Sequence, residues 1–162
     1  MKRTIELLKK NNELRVIEEE LDIYLEIPHL AYAEVKKKDG GKALLFTNGK
    51  EEFVIVNIPA DRRVDQKKVA QAIGWPKGAV RMATQEEVME KTGCEIGAVP
   101  PFGHKNAIPI LIDKGVYENQ ENAFNIGLRT KSVKIKTAEM KVLFEKEKVL
   151  EGTFVKDSEI KS

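Results

Sequence analysis

At 162 residues the chain is long enough for one domain with its own core, with no need of disulfide or metal staples. Charged residues make up 33% and apolar ones 41%, which excludes a disordered chain, and a net charge of +2 is too small to indicate nucleic acid by itself. The single cysteine, Cys94, rules out an internal disulfide. With no apolar stretch after Lys2-Arg3 and no run of about 18 apolar residues, the sequence predicts a cytoplasmic chain, neither secreted nor membrane-spanning.

Taken in order, Lys2 to Asn12 carries Ile5, Leu7 and Leu8 among lysines and reads as a short amphipathic helix. Leu14-Arg15-Val16-Ile17 reads as a first strand. Leu21, Ile23, Leu25 and Ile27 alternate with polar neighbours, which predicts extended structure. Pro28 suits a first helical position, so a helix is expected over His29 to Lys38, stopped by Asp39-Gly40-Gly41; His29 reads as structural. A β-hairpin follows. Lys42 to Thr47 and Phe53 to Ile58 flank Asn48-Gly49, a tight-turn pair, and their near-continuous apolar runs suggest strands buried on both faces.

Asp65 to Ile73 reads as a helix with Val69, Ala72 and Ile73 on one side, closed by Gly74. Thr84-Gln85-Glu86-Glu87 has the capping-box pattern and opens a second helix. Ile108 to Asp113, Phe124 to Gly127 and Ser132 to Lys136 are later strands, followed by a short helix opened by Thr137. The expected fold is α+β, a single domain with a central mixed, barrel-like sheet surrounded by short helices. Residues 1–47 would be an N-terminal segment that packs on or completes a core over 48–151, and 152–162 would be a frayed tail.

The second helix delivers the chain to Thr92-Gly93-Cys94-Glu95-Ile96-Gly97-Ala98-Val99-Pro100-Pro101-Phe102-Gly103-His104, where three glycines and two prolines crowd around one Phe and one His. Glycine lets a backbone approach a ligand, and proline removes a donor and fixes φ. The N–H groups of Gly97, Ala98 and Val99 remain, and a rigid loop can aim them at developing negative charge, worth about 3 kcal/mol each. His104 is the general-base candidate, because its ordinary pKa lies near neutrality; its alternative is a loop histidine bonded to backbone. Cys94 reads as a small buried hydrophobe rather than a nucleophile. Phe102, between Pro101 and Gly103, walls a pocket or packs in the core. Two histidines and one cysteine, well spread, give no zinc spacing, so neither metal nor cofactor is expected.

Three motifs in order carry a resemblance. They are Ile58-Pro59-Ala60-Asp61-Arg62-Arg63-Val64-Asp65, then Val80-Arg81-Met82-Ala83-Thr84-Gln85-Glu86-Glu87-Val88, then Thr92-Gly93 through His104. Together they resemble the YbaK/ProRS-associated domain family of trans-editing aminoacyl-tRNA deacylases. The family's Gly-x-x-x-Pro loop falls on Gly97-Ala98-Val99-Pro100-Pro101, and its strand-end lysine on Lys42. The resemblance implies a YbaK-like fold and hydrolysis of a mischarged tRNA carrying a small amino acid. In that reading Gly97 to Pro101 positions the ester, Lys42 holds the substrate, and the substrate's own groups assist the reaction.

Phe102, Gly103 and His104 would line the site, with a second glycine loop at Gly127 in which Arg129 replaces a smaller residue. The implied partners are the acceptor end of a tRNA and an aminoacyl-tRNA synthetase, with no membrane. Basic clusters at Lys36-Lys37-Lys38, at Arg62-Arg63 with Lys67-Lys68, and at Lys131 with Lys134 and Lys136 suit tRNA phosphates. The alternative is a non-catalytic tRNA- or synthetase-binding module of the same fold. Residues 1–47 also resemble the amino-terminal segment of UbiD-type decarboxylases, but the remaining chain cannot hold the core of such an enzyme.

Overall fold

The structure is a computed structural model that describes residues 2–9, 13–21, 24–27 and 40–157. The helix expected over His29 to Lys38 lies outside the described residues. A five-stranded mixed sheet organises the fold. It contains β4 (Gly41–Thr47), β5 (Phe53–Pro59), β6 (Arg81–Met82), β7 (Ile110–Asp113) and β10 (Val149–Gly152), in the order β10-β7-β5-β4-β6. The β4–β5 and β4–β6 pairs are antiparallel, whereas β5–β7 and β7–β10 are parallel. The sheet is open rather than closed into a barrel. A three-stranded antiparallel sheet, β3 (Tyr24–Ile27), β9 (Ser132–Lys136) and β8 (Glu121–Asn125), and a hairpin of β1 (Lys2–Glu6) with β2 (Val16–Glu20) complete the strands.

The apolar runs of β4 and β5 are buried on both faces, as continuous rather than alternating hydrophobicity requires. Ala43, Leu45, Ile55, Ile110 and Ile112 face one cluster. Phe46, Val54, Val56, Ile58 and Leu111 face the other. The hairpin loop is longer than the expected tight turn: Thr47 pairs with Phe53, which leaves residues 48–52 unpaired. Gly49 and Glu51 both have positive φ there, and the Thr47 hydroxyl accepts from the Gly49 N–H while donating to the Glu52 carbonyl.

Helix α1 (Gln66–Ile73) is capped by Asp65, whose carboxylate accepts from the Lys67 and Lys68 N–H groups. It buries Val69 and Ala70, whereas Ala72 is exposed. Helix α2 (Gln85–Thr92) opens on the capping box, with Thr84 Oγ1 accepting from the Glu87 N–H and the Glu87 carboxylate accepting from the Thr84 N–H. Helix α3 (Thr137–Phe144) begins at Thr137 as expected and buries Met140, Leu143 and Phe144.

Both ends of the chain differ from expectation. Lys2–Glu6 is a strand, not a helix, and pairs with Val16–Glu20. Ile5 and Leu7 are buried and Glu6 between them is exposed, the period of two of a strand. A short isolated helix is marginal, and here pairing across the hairpin and burial in the main cluster outweigh it. At the other end, Phe154 and Val155 are buried. The Phe154 N–H donates to Asp113 Oδ2, and the Lys156 N–H donates to the Arg63 carbonyl. Residues 152–157 are therefore tied to the body rather than frayed.

Candidate functional site

Helix α2 ends where its own chemistry stops it. Gly93 is left-handed at φ 69° and donates to the Met89 carbonyl, while the buried Thr92 hydroxyl donates to the Val88 carbonyl and accepts from the Cys94 N–H. Cys94 is fully buried, as a small hydrophobe would be. The chain then turns over residues 95–98, where the Ala98 N–H donates to the Glu95 carbonyl and the exposed Gly97 has a φ of 84°.

This turn is zipped to the second glycine loop. The Glu95 N–H donates to the Gly127 carbonyl, and the Gly127 N–H donates to the Ala98 carbonyl, both at 2.9 Å. Arg129 adds two links, its N–H donating to Glu95 Oε1 and its Nε to the Ile96 carbonyl. Gly127 is required at φ 104°, where a Cβ would stand 2.9 Å from Leu14 Cδ1.

The far end of the loop is held by the N-terminal segment. Leu14 bridges His104, the Arg15 N–H donates to the Gly103 carbonyl, and the Lys105 N–H donates to the Glu13 carbonyl. The Glu147 carboxylate accepts from the Gly103 N–H and pairs with Arg15. Residues 13–15 thus run along this end of the loop through one isolated antiparallel bridge and two flanking backbone bonds.

Of the expected oxyanion donors, Ala98 is excluded because its N–H is committed to Glu95. The N–H groups of Gly97 and Val99 make no hydrogen bond among the described residues. Phe102 is corrected from pocket wall to core. It has no exposed surface and stacks edge-on against Phe124 and Phe144, with ring centroids 5.3 and 5.7 Å away. Pro101 does reach open space. With Gly41, Ala43, Asn57, Phe124 and Met140 it lines a narrow crevice of about 10 Å³, room for at most one water-sized group.

Lys42 is not brought to the loop. It lies on β4 opposite Ile58, on the face shared with Leu44 and Phe46, whereas Ala43 and Leu45 face the cluster that contains Val99 and Phe102. Its two neighbours, Gly41 and Ala43, line the cleft. Alternation along a strand therefore sends the lysine stem away from it.

His104 is buried, and its Nε2 lies 2.9 Å from the Pro100 carbonyl. A carbonyl only accepts, so Nε2 carries the proton and the ring is a clasp across the two prolines. Nδ1 is buried without a partner among the described residues. Burial pushes the histidine pKa down from 6.5 to about 4, reinforced by the Arg15 charge and opposed by the Pro100 bond. The unfolded chain therefore takes up a proton below pH 6.5 that the folded chain refuses until about pH 4. Stability is complete above the upper value and falls as pH drops through this window, by roughly 3 kcal/mol. In urea titrations across the window, His104→Asn should flatten that loss; an unaltered slope would assign it to another group.

Sequence reasoning missed Asn57, Glu95 and Glu147. Asn57 left a signal, as the one polar residue inside Phe53-Val54-Ile55-Val56-Asn57-Ile58. Glu95 and Glu147 left none, since one more surface-type carboxylate in a charged chain is unremarked until its partners are known. Among the described residues no group of carboxylates, histidines and cysteine has metal-ligand geometry, and no helix is long and apolar enough to cross a membrane.

The family model that describes the aminoacyl-tRNA editing domain matches residues 29–143. The chain is 36% identical over 104 residues to the multifunctional Ser/Thr-tRNA deacylase ProXp-y of Escherichia coli K12, across 62% of this chain and 61% of that protein. It is 31% identical over 75 residues to the proline–tRNA ligase of Trichlorobacter lovleyi, across 46% of this chain and 13% of the ligase. The backbone superposes with a TM-score of 0.68 on a solved structure described as a candidate trans-editing enzyme for prolyl tRNA synthetase. That match has 24% identity and covers 83% of this chain and 86% of the other.

Proposed function

Because the chain belongs to the aminoacyl-tRNA editing domain family, we propose that it is a deacylase that clears a mischarged tRNA carrying a small amino acid, acting in trans. One observation carries the chemistry. A loop pinned at both ends presents the N–H groups of Gly97 and Val99 with no internal acceptor among the described residues. Donors fixed before the reaction stabilise an oxyanion without reorganising. Water adds to the ester carbon, the carbonyl oxygen takes the negative charge, and collapse releases the amino acid while the ribose oxygen leaves with a proton.

His104 is a poor base here, being neutral, buried and bonded to Pro100. The proton is therefore routed through water and the tRNA's own hydroxyl, a substrate-assisted reaction. Lys42 serves the tRNA rather than the ester. It lies on the β4 face away from the cleft that Gly41 and Ala43 line, and a lysine there suits a phosphate or ribose of the acceptor end.

A panel of tRNAs charged with alanine, cysteine or serine tests the reading. Release of one amino acid by the purified protein is expected; retained charge throughout, with salt-sensitive tRNA binding, would instead mark a binding module. Lys42→Ala should raise KM for the charged tRNA roughly tenfold and lower the slope of log affinity against log salt by about one. An unchanged KM and slope would remove Lys42 from the interface. Recruitment by a prolyl-tRNA synthetase is a further part of the proposal, which co-migration of the two proteins in gel filtration would support.

A further inference from the structure

We propose that the open pocket between the start of α1 and the turn after its end is a second contact with tRNA, which holds backbone phosphates away from the aminoacyl end. The pocket measures about 720 Å³. Lys67, Lys77 and Lys156 line it, all three exposed, from three separate stretches of chain. Their ammonium groups make no hydrogen bond or ion pair among the described residues. The cations beside them are already committed. Lys68 donates to the Val155 carbonyl and pairs with Asp157, and Arg62 donates to the Lys156 carbonyl.

Backbone bonds fix the frame that carries the three lysines. Val64 bridges Val155, the Asp65 N–H donates to the Phe154 carbonyl, and the Lys156 N–H donates to the Arg63 carbonyl. Lys156 is thereby tied beside the start of α1. On the other wall the Ala79 N–H donates to the Pro76 carbonyl and Gly78 is left-handed at φ 88°, a tight turn that carries Lys77. Asp65 is the one acid in the lining, and its Oδ1 is engaged in capping α1. Three like charges around one pocket repel one another, and a bound polyanion turns that repulsion into attraction.

Lysine meets phosphate as a point charge on a flexible stem. No lining residue is aromatic, so no ring is there to stack on a base, whereas a phosphodiester backbone needs only the charges. Val64 and Val80 of the lining pack with the apolar cluster on one side of the five-stranded sheet, and Val99 and Phe102 of the glycine-proline loop with the cluster on the other. The sheet thus separates pocket from loop, and phosphates held here belong to a part of the tRNA remote from the ester. The proposal rests on tRNA being the partner, as in the reading above, but not on catalysis by the loop.

The test sets the triple variant Lys67→Ala, Lys77→Ala, Lys156→Ala against a control that loses the same charge, Lys50→Ala, Lys114→Ala, Lys148→Ala. Binding of deacylated bulk tRNA is followed by fluorescence anisotropy over a range of salt concentrations. The pocket variant should bind about tenfold or more weaker, and its slope of log affinity against log salt should fall by about 2–3. The control should stay within about threefold of wild type. Hydrolysis is then compared on the charged tRNAs of the panel and on the matching aminoacyl-CCA trinucleotides. KM for tRNA should rise in the pocket variant with kcat kept, and the rate on the trinucleotide should not change.

Equal losses in the two triple variants would reduce the effect to net charge and overturn the proposal, as would an unaltered affinity in the pocket variant. A loss on the trinucleotide as large as on tRNA would also overturn it, by placing the effect at the ester or in the fold. ATP or inorganic phosphate that binds the wild type more tightly than tRNA does, through the same lysines, would reassign the pocket to a free phosphate ligand. Lysine-dependent tRNA binding without turnover of any ester would sink the deacylase reading and keep this contact. Turnover with tRNA binding indifferent to the three lysines would do the reverse.

Discussion

Replacing Gly97 by valine should lower kcat/KM for deacylation at least about 100-fold, the loss typical of removing one oxyanion donor, with little change in the melting temperature. Gly97 has a φ of 84°, a region that a β-branched residue strongly disfavours. The site is roomy: a Cβ would meet only Arg129 Nε, at 3.9 Å. The penalty therefore falls on the backbone rather than on packing. To escape it the turn must rotate, which swings the Gly97 and Val99 N–H groups off target and strains the Arg129 link to Ile96. Single-turnover hydrolysis of a charged tRNA, paired with a melting curve, separates loss of geometry from loss of fold. Wild-type turnover in a folded Gly97→Val protein would end the loop's assigned role.

Gly103→Ala has the opposite character, a large stability effect from one methyl group. A Cβ there would stand 2.1 Å from Leu7 Cδ1 and 3.2 Å from Ile17 Cδ1, at a φ of 88°. Leu7 is 3% exposed and packed in the main cluster, so it has nowhere to withdraw. Left-handed strain and overpacking together should cost roughly 2–4 kcal/mol in urea unfolding. The double variant Leu7→Ala, Gly103→Ala should lose at least about 1 kcal/mol less than the two single losses combined, because the first change opens the space the second needs. Strict additivity would place the whole effect in the backbone and remove Leu7 from the account.

These two glycines divide the loop's labour. Gly97 sits at its exposed tip, where the proposed function gives its conformation to a ligand, and Gly103 at its buried end, where conformation serves the contact with Leu7 and Ile17. Between them lies Pro100, whose carbonyl His104 clasps from just beyond Gly103. Rigidity at the tip thus depends on the N-terminal hairpin, which a reading of the loop alone would treat as remote. Truncating the first strand would be felt in catalysis for that reason.

Local chemistry was legible in the sequence wherever a short range of residues decides the outcome. The capping box at Thr84 and Glu87, the left-handed stops at Gly74 and Gly93, and the apolar runs of β4 and β5 each rest on neighbours within a few residues. The glycine-proline loop was legible for the same reason, and the order of the motifs was enough to place the chain in its family.

Tertiary structure alone decided whatever depends on a partner far along the chain. Lys2–Glu6 became a strand because Val16–Glu20 lies beside it, Ala70 rather than Ala72 turned inward on α1, and residues 152–157 were tied down by Arg63 and Asp113. In the same way Phe102 went to the core beside Phe124 and Phe144, and Lys42 to the sheet face opposite the loop. The period of a strand or helix states that alternate sides exist, but which side meets the core is set by what packs against it, and the energy that decides it is the burial of residues remote in sequence.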